Sequence, residues 1–211
     1  MITKQRVLSL MLIALFPFLL TFLAVRFAFT EAFVEFLYPR VELTPDPMPF
    51  QLRLSIAKMG LRSVVSDKGM EEFKNSGLFN HREIAHMEDV KRLLSFLFGF
   101  LYVGLPLWFF GLISLRSFKE IGKVLFWGSL LLELFAVFVL LASFANYQWL
   151  FEAFHNLFFD PYSWRFSDQD MLLRVYPLDF WYEATLYTAG AVILLNMLIQ
   201  SIGFLLWRRG F

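Results

Sequence analysis

HREIAHMEDVKRLLSFLFGFLYVGLPLWFFGLISL, residues 81–115, changes character once. Up to Arg92 it is rich in charge. From Leu93 to Leu115 it carries no charged side chain. About 20 apolar residues suffice to cross a hydrocarbon core as a helix, so 93–115 is long enough to span. Asn80 can cap the helix, with Glu83 three positions later in a capping-box arrangement. The reading is one helix that starts among polar groups and runs straight into a membrane.

Three further runs are of this kind: 7–29, 124–146 and 184–207. They account for a chain that is 58% hydrophobic and 19% aromatic, with 28 Phe. A soluble domain of this size does not need so much apolar surface. Lipid offers no partner to a backbone N–H, so each single span must be helical. The fold class is therefore all-α, an integral membrane protein of four transmembrane helices in one domain over 1–211. The segments between spans, about 30–92 and 147–183, form a small extracytoplasmic cap.

Orientation follows from the short flanks. Lys4 and Arg6 precede the first span, Arg116, Lys119 and Lys123 fill the tight link between the second and third, and Arg208 and Arg209 follow the fourth. All fall on one side, which the positive-inside rule makes the cytoplasm. Both termini are then cytoplasmic and both longer segments face outward. The first run is too long for the apolar core of a signal peptide, and no clear cleavage site follows it, so it reads as a retained span. Net charge is +1, which gives no general attraction to nucleic acid. The chain has no cysteine, so disulfides, thiolate metal sites and a cysteine nucleophile are out.

Within the spans, Pro17 predicts a kink. Arg26 near the outer end of the first span either snorkels to the headgroups or faces an outer site and holds an ester oxygen. Glu133 near the middle of the third span needs a partner or a protonated state of its own; Asn196 and Gln200 on the fourth are the candidate partners. In the outer segments, a helix is expected over 52–65. Asp67-Lys68-Gly69 and Asn75-Ser76-Gly77 read as turns. After Asn146, the residues Leu150, Phe151, Phe154, Leu157 and Phe158 follow helical spacing and predict an amphipathic helix in the outer interface. Trp164 and Phe166 read as interface anchors. Asp168 is expected to cap a short helix through Val175 that Tyr176-Pro177 ends.

The chain has no glycine-rich phosphate loop, no nucleophile elbow and no H-E-x-x-H pair. A zinc site from His86, His155 and Glu83 stays open on composition, although the spacing of the histidines does not call for one. What remains is His86 and His155, each on an outward segment. Glu83 and Asp89 lie one turn either side of His86 and could orient it; a solvated helix end with ordinary pairs would show the same spacing. His155 lies on the edge of the apolar stripe, where a simple interface residue would also sit. A neutral histidine at an interface suits general-base work near neutral pH.

Asn80-His81-Arg82-Glu83-Ile84-Ala85-His86-Met87-Glu88-Asp89-Val90-Lys91 resembles the R-E-[I/L]-x-H-M-x-D-V-K signature of a four-span bacterial membrane family. Phe154-His155-Asn156-Leu157-Phe158-Phe159, followed by Trp164, Phe166 and the Tyr176-Pro177 to Phe180-Trp181 stretch, resembles its second signature. The family is that of the lipoprotein intramolecular transacylase, Lit. The resemblance implies a location in the bacterial cytoplasmic (inner) membrane and diacylated bacterial lipoproteins as partners beside membrane lipid. It implies an acyltransferase reaction in which the sn-2 acyl chain of a diacylglyceryl-cysteine moves to the cysteine's own α-amine, leaving a lyso-form lipoprotein. No cofactor is implied.

On that reading His155 is the base and His86 the acid or oxyanion partner, with the roles open to exchange. Glu83 or Asp89 would orient His86, and Arg82 and Arg26 would bind carbonyl oxygen. Asn156 and Trp164 complete the candidate substrate contacts. The competing expectation is a non-catalytic membrane adaptor or assembly factor that uses the outer segment for docking and tolerates loss of both histidines.

Overall fold

The computed structural model describes residues 4–43 and 45–210; its regular elements are all helical, with no strand among those residues. Four long helices contain the four apolar runs to within a residue: α1 (Lys4–Ala28), α5 (His81–Ser114), α6 (Phe118–Phe158) and α8 (Leu178–Arg209). Each is long and apolar enough to cross a membrane. The shorter elements are α2 (Glu31–Leu37), a 3-10 turn (Tyr38–Arg40), α3 (Phe50–Val65), α4 (Asp67–Asn75) and α7 (Met171–Val175).

The described residues divide into two compact units. One comprises the chain up to Val25, Phe98–Leu141 and the chain from Tyr187 on. Its core gathers Leu12, Phe16, Leu19, Leu101, Trp108, Leu115, Val124 and Leu132. Water drives none of this packing within lipid, so close fit and internal hydrogen bonds must hold the helices together. The Trp108 indole N–H donates to the Leu12 carbonyl at 2.9 Å. Gly122 on α6 and Gly203 on α8 meet backbone to backbone, where a Cβ at 122 would stand 2.4 Å from the Trp207 nitrogen. Glu133 finds the partner expected of it: the Asn196 amide donates to its carboxylate at 2.7 Å and to the Ser129 carbonyl at 2.8 Å. Outward from this core, Tyr102, Leu107, Phe110 and Leu194 are exposed, the apolar face that lipid solvates without cost. Pro17 lies inside α1 and does not break it.

The other unit comprises Arg26–Leu97 and Ala142–Leu186. Its apolar centre includes Leu37, Tyr38, Ala57, Phe73, Val175 and Phe180, all buried. Polar ties fasten α7 to the segments before and within α3. The Tyr38 hydroxyl donates to the Val175 carbonyl at 3.0 Å, the Tyr176 hydroxyl donates to the Ala57 carbonyl, and Arg53 donates to the Arg174 carbonyl at 2.7 Å. Arg174 forks onto Asp46 at 2.8 and 2.9 Å, which holds the Asp46 carboxyl down at about 2.

Several local expectations change here. The helix expected from 52 begins at Phe50. Asn75-Ser76-Gly77 is a turn, with Gly77 at φ +68°. Asp67-Lys68-Gly69 is not a turn but the first turn of α4, capped by Ser66, whose hydroxyl accepts the Gly69 N–H at 3.0 Å. Gly69 is needed for proximity: a Cβ there would stand 2.2 Å from the Arg62 carbonyl oxygen. The short helix before Tyr176-Pro177 starts at Met171, so the cap position is Asp170 and not Asp168.

Candidate active site

Asn80 starts α5 as its spacing predicts. Its side-chain oxygen accepts the Arg82 and Glu83 N–H groups at 2.9 and 3.0 Å, and Glu83 returns the contact by accepting the Asn80 N–H at 2.7 Å. This reciprocal cap fixes the first turn. His86 follows one turn later, 7% exposed.

The second histidine arrives from α6. That helix is interrupted at Asn146, whose backbone is extended at φ −165° and ψ 90°. The Asn146 side chain accepts the Trp149 N–H at 3.0 Å and so restarts the helix. The restarted piece is the amphipathic helix expected after Asn146. It leaves Phe154, Leu157 and Phe158 exposed and His155 half-buried.

The two imidazoles face one another. Their ring centroids are 5.9 Å apart with planes inclined by 27°. Aromatic rings surround the pair. Phe159 and Phe166 meet His86 edge-on at 5.1 and 5.5 Å. Phe151 and Trp164 lie against His155 at 4.0 and 4.8 Å. This cage sets the electrostatics. Burial pushes His86 down to about 4, and the charge of a protonated His155 would push in the same direction. Burial lowers His155 too, against the opposing pull of its hydrogen bond to Phe151. Both imidazoles are held neutral near pH 7.

The tautomer of His155 follows from its partner. Nδ1 lies 2.8 Å from the Phe151 carbonyl oxygen. A carbonyl only accepts, so Nδ1–H donates and Nε2 carries the free lone pair. His86 is different, because its buried Nδ1 has no hydrogen-bond partner.

The remaining candidates fall into two groups. Glu83 and Asp89 do not orient His86. Glu83 is 1% exposed, and its second oxygen accepts the Leu172 N–H at 2.6 Å. Burial raises its pKa while those two N–H groups oppose the rise. Asp89 pairs with Arg92. Arg82 supports the site from below: one of its terminal nitrogens donates to the carbonyls of Tyr162 and Arg165, at 3.2 and 2.7 Å. That tie holds the segment carrying Trp164 and Phe166, and Asn80 adds a bond to Asp170 at 2.8 Å. Trp164 is buried against His155, and Asn156 is exposed one residue beyond it. Arg26 donates forward along the chain to the Phe29 carbonyl at 3.4 Å. Among the described residues no three His, Asp or Glu side chains gather as metal ligands would.

Three contributors were not anticipated: the Phe151 carbonyl, the Leu172 N–H, and Phe159 as a wall. Phe151 sits four residues before His155, a helical spacing that brings the carbonyl within reach. Nothing in side-chain pattern marks the Leu172 N–H.

The sequence model of the family described as lipoprotein intramolecular transacylase Lit matches residues 7–181. A relative from Aquifex aeolicus (strain VF5), described as an uncharacterized protein, is 43% identical over 209 residues, which cover 95% of each chain. Among solved structures, the membrane integral lipoprotein intramolecular transacylase Lit from Bacillus cereus aligns with a TM-score of 0.71 at 18% identity, over 97% of this chain and 96% of that one. A histidine-to-arginine variant of the same protein aligns with a TM-score of 0.63. At that identity the two structures speak for the fold.

Proposed function

The chain belongs to the lipoprotein intramolecular transacylase Lit family, and we propose that it moves the sn-2 acyl chain of a diacylglyceryl-cysteine lipoprotein to the α-amine of the same cysteine. The observation that carries this reading is the caged pair His86 and His155, 5.9 Å apart, one of them with its free lone pair assigned to Nε2. The site faces outward at the bacterial cytoplasmic membrane, with both termini cytoplasmic, as the basic flanks argue.

Amine and ester belong to one substrate, so holding them together supplies much of the rate. The α-amine, with an unperturbed pKa of about 7.7–8.0, attacks as the neutral form. Its nitrogen bonds to the ester carbonyl carbon and the carbonyl oxygen takes the charge. His155 Nε2 accepts the proton that the nitrogen sheds. The bond from carbon to the glyceryl sn-2 oxygen then breaks, and the same proton passes to that oxygen. An amide replaces an ester and no co-reactant is consumed.

His86 cannot serve as a resting cationic acid, because its cage keeps it neutral. It serves as a neutral hydrogen-bonding group beside the reacting centre, and its closeness prevents both imidazoles from being protonated together. Glu83, Arg82 and Asn80 fix the frame. Arg82 spends donors on the backbone of the overlying segment, so it acts by holding that segment.

The test is expression in a host that lacks lipoprotein N-acylation, followed by mass spectrometry of a lipoprotein N-terminus. The protein should yield an N-acyl, S-monoacylglyceryl product. His155→Ala and His86→Ala should each lower transfer by about 10²–10⁴-fold, the range of general acid–base contributions. Full activity in either variant removes that residue from the reaction.

A further inference from the structure

Among the described residues of the site unit, two buried side-chain polar atoms lack a hydrogen-bond partner, and both belong to the cage: Nδ1 of His86 and Nε1 of Trp164. Native structures seldom leave such atoms unpaired, and each one asks for a reason. The indole nitrogen is the more informative because it only donates. Trp164 is 8% exposed and lies 4.8 Å from His155, with their planes at 42°. Its other ring contacts are apolar or cationic. Phe151 stands edge-on at 6.1 Å, and the Arg165 guanidinium sits 5.2 Å above the ring. A donor-only group, dry, unmatched and tilted against the histidine whose Nε2 is free, suits a partner that acquires negative charge when that histidine acts.

We propose that the Trp164 indole N–H is the donor that receives the ester carbonyl oxygen of the lipid substrate as it becomes an oxyanion. This rests on the proposed acyl transfer, and it makes Trp164 a catalytic residue. An N–H held in an apolar cage meets a growing oxyanion far more strongly than a neutral carbonyl, and it needs no reorganisation at the moment of attack. Nε1 is hidden from solvent in the resting protein, so the carbonyl reaches it when the segment between Asp160 and Asp170 yields. That segment is held to α5 by Arg82 and Asn80. The donor is thereby kept from water until the lipid ester enters.

The first experiment uses the full chain in detergent with a synthetic diacylglyceryl-cysteine lipopeptide. Trp164→Phe keeps a ring against His155 and deletes the N–H. The expected result is a kcat lower by about 10²–10³-fold, the range for removal of one oxyanion donor, with KM within threefold of the parent. A kcat within threefold overturns the proposal. Should Trp164→Phe fail to fold, 3-benzothienylalanine placed at 164 keeps the bicyclic shape with sulfur in place of N–H, and the same criteria apply.

The second experiment does not need turnover. The indole ¹⁵N–¹H resonance of Trp164 is followed as the N-acetylated lipopeptide, which binds but cannot transfer, is added. A downfield move on binding is expected. An unmoved resonance, or one already shifted in the free protein by a buried water and left so, overturns the proposal. If His155→Ala still transfers the acyl chain, the histidine chemistry falls, while this resonance still decides whether Trp164 meets the ester.

Discussion

The Glu83 carboxylate bridges two backbone N–H groups that are far apart in the chain, that of Asn80 at 2.7 Å and that of Leu172 at 2.6 Å. It is buried at the foot of His86 and ties the start of α5 to α7. Glu83→Ala strands both donors. A buried unpaired N–H costs about 1–3 kcal/mol; water can reach the part-buried Asn80 N–H but not that of Leu172, so a loss of about 2–4 kcal/mol is expected rather than the full sum for two dry donors, with acyl transfer falling as the frame loosens. Thermal unfolding and lipopeptide mass spectrometry on the same preparation check it. Unchanged melting would show that the bridge contributes nothing.

Arg82 holds the segment over the histidines through the carbonyls of Tyr162 and Arg165. Arg82 is exposed, so solvent competes for these bonds and each belongs at the weak end of about 0.5–1.5 kcal/mol. Arg82→Ala should speed protease cleavage within residues 160–170 and lower kcat/KM about tenfold. Arg82→Lys keeps three N–H donors and should restore part of both. Equal cleavage rates in parent and Arg82→Ala would remove the tether.

The cage also shapes the pH profile. The free substrate amine titrates at about 7.7–8.0, so log kcat/KM should climb with a slope of one up to that point. A base with the ordinary histidine value would add a second unit of slope below 6.5. Burial lowers both imidazoles, His86 to about 4, so the slope should stay at one as pH falls through 6.5 and steepen only further down. A slope of two setting in at 6.5 would mean the catalytic imidazole is not desolvated.

Stability has its own pH dependence. His86 binds a proton at about 6.5 when unfolded and at about 4 in its cage. Between these values the unfolded chain holds more protons, so stability is full above 6.5 and declines as pH falls towards 4. At about 1.4 kcal/mol per unit, the loss approaches roughly 3 kcal/mol. His86→Phe cannot titrate, so its melting temperature should fall less over that interval. Parallel curves for the two proteins would contradict the burial of a neutral imidazole.

The long helices were legible in the sequence because a run of apolar residues leaves the backbone one solution in lipid. The Asn80–Glu83 cap and the Glu133–Asn196 pair were legible for similar reasons: each joins groups that have few other ways to be satisfied. Spacing alone leaves two readings for Glu83 and Asp89, companions of His86 or ordinary helix-end pairs, and both side chains are bonded elsewhere. They share a helix face at spacings of three, but helical side chains lean towards the N-terminus. Glu83 therefore reaches back to the helix start and α7, and Asp89 is taken by Arg92. Asp67-Lys68-Gly69 resembled a turn because Gly69 and Asp67 are turn formers. In the structure Gly69 answers a steric demand from the Arg62 carbonyl, which no local pattern records. The meeting of His86 and His155 follows from topology rather than spacing: antiparallel spans put both stretches on one side of the membrane, and the family resemblance adds the chemistry they share.

The extended residue at Asn146 bears on how this protein can change over generations. An unbroken α-helix ties the azimuth of each side chain to every earlier one, at about 100° per residue. Were α6 seamless, a single insertion before residue 146 would swing His155 a quarter-turn or more away from its partner. A residue already outside helical φ/ψ could take up that rotation in its own two dihedrals, so the upstream helix would have room to gain or lose a residue to suit a thicker or thinner bilayer, with the Asn146–Trp149 cap starting the downstream turn afresh.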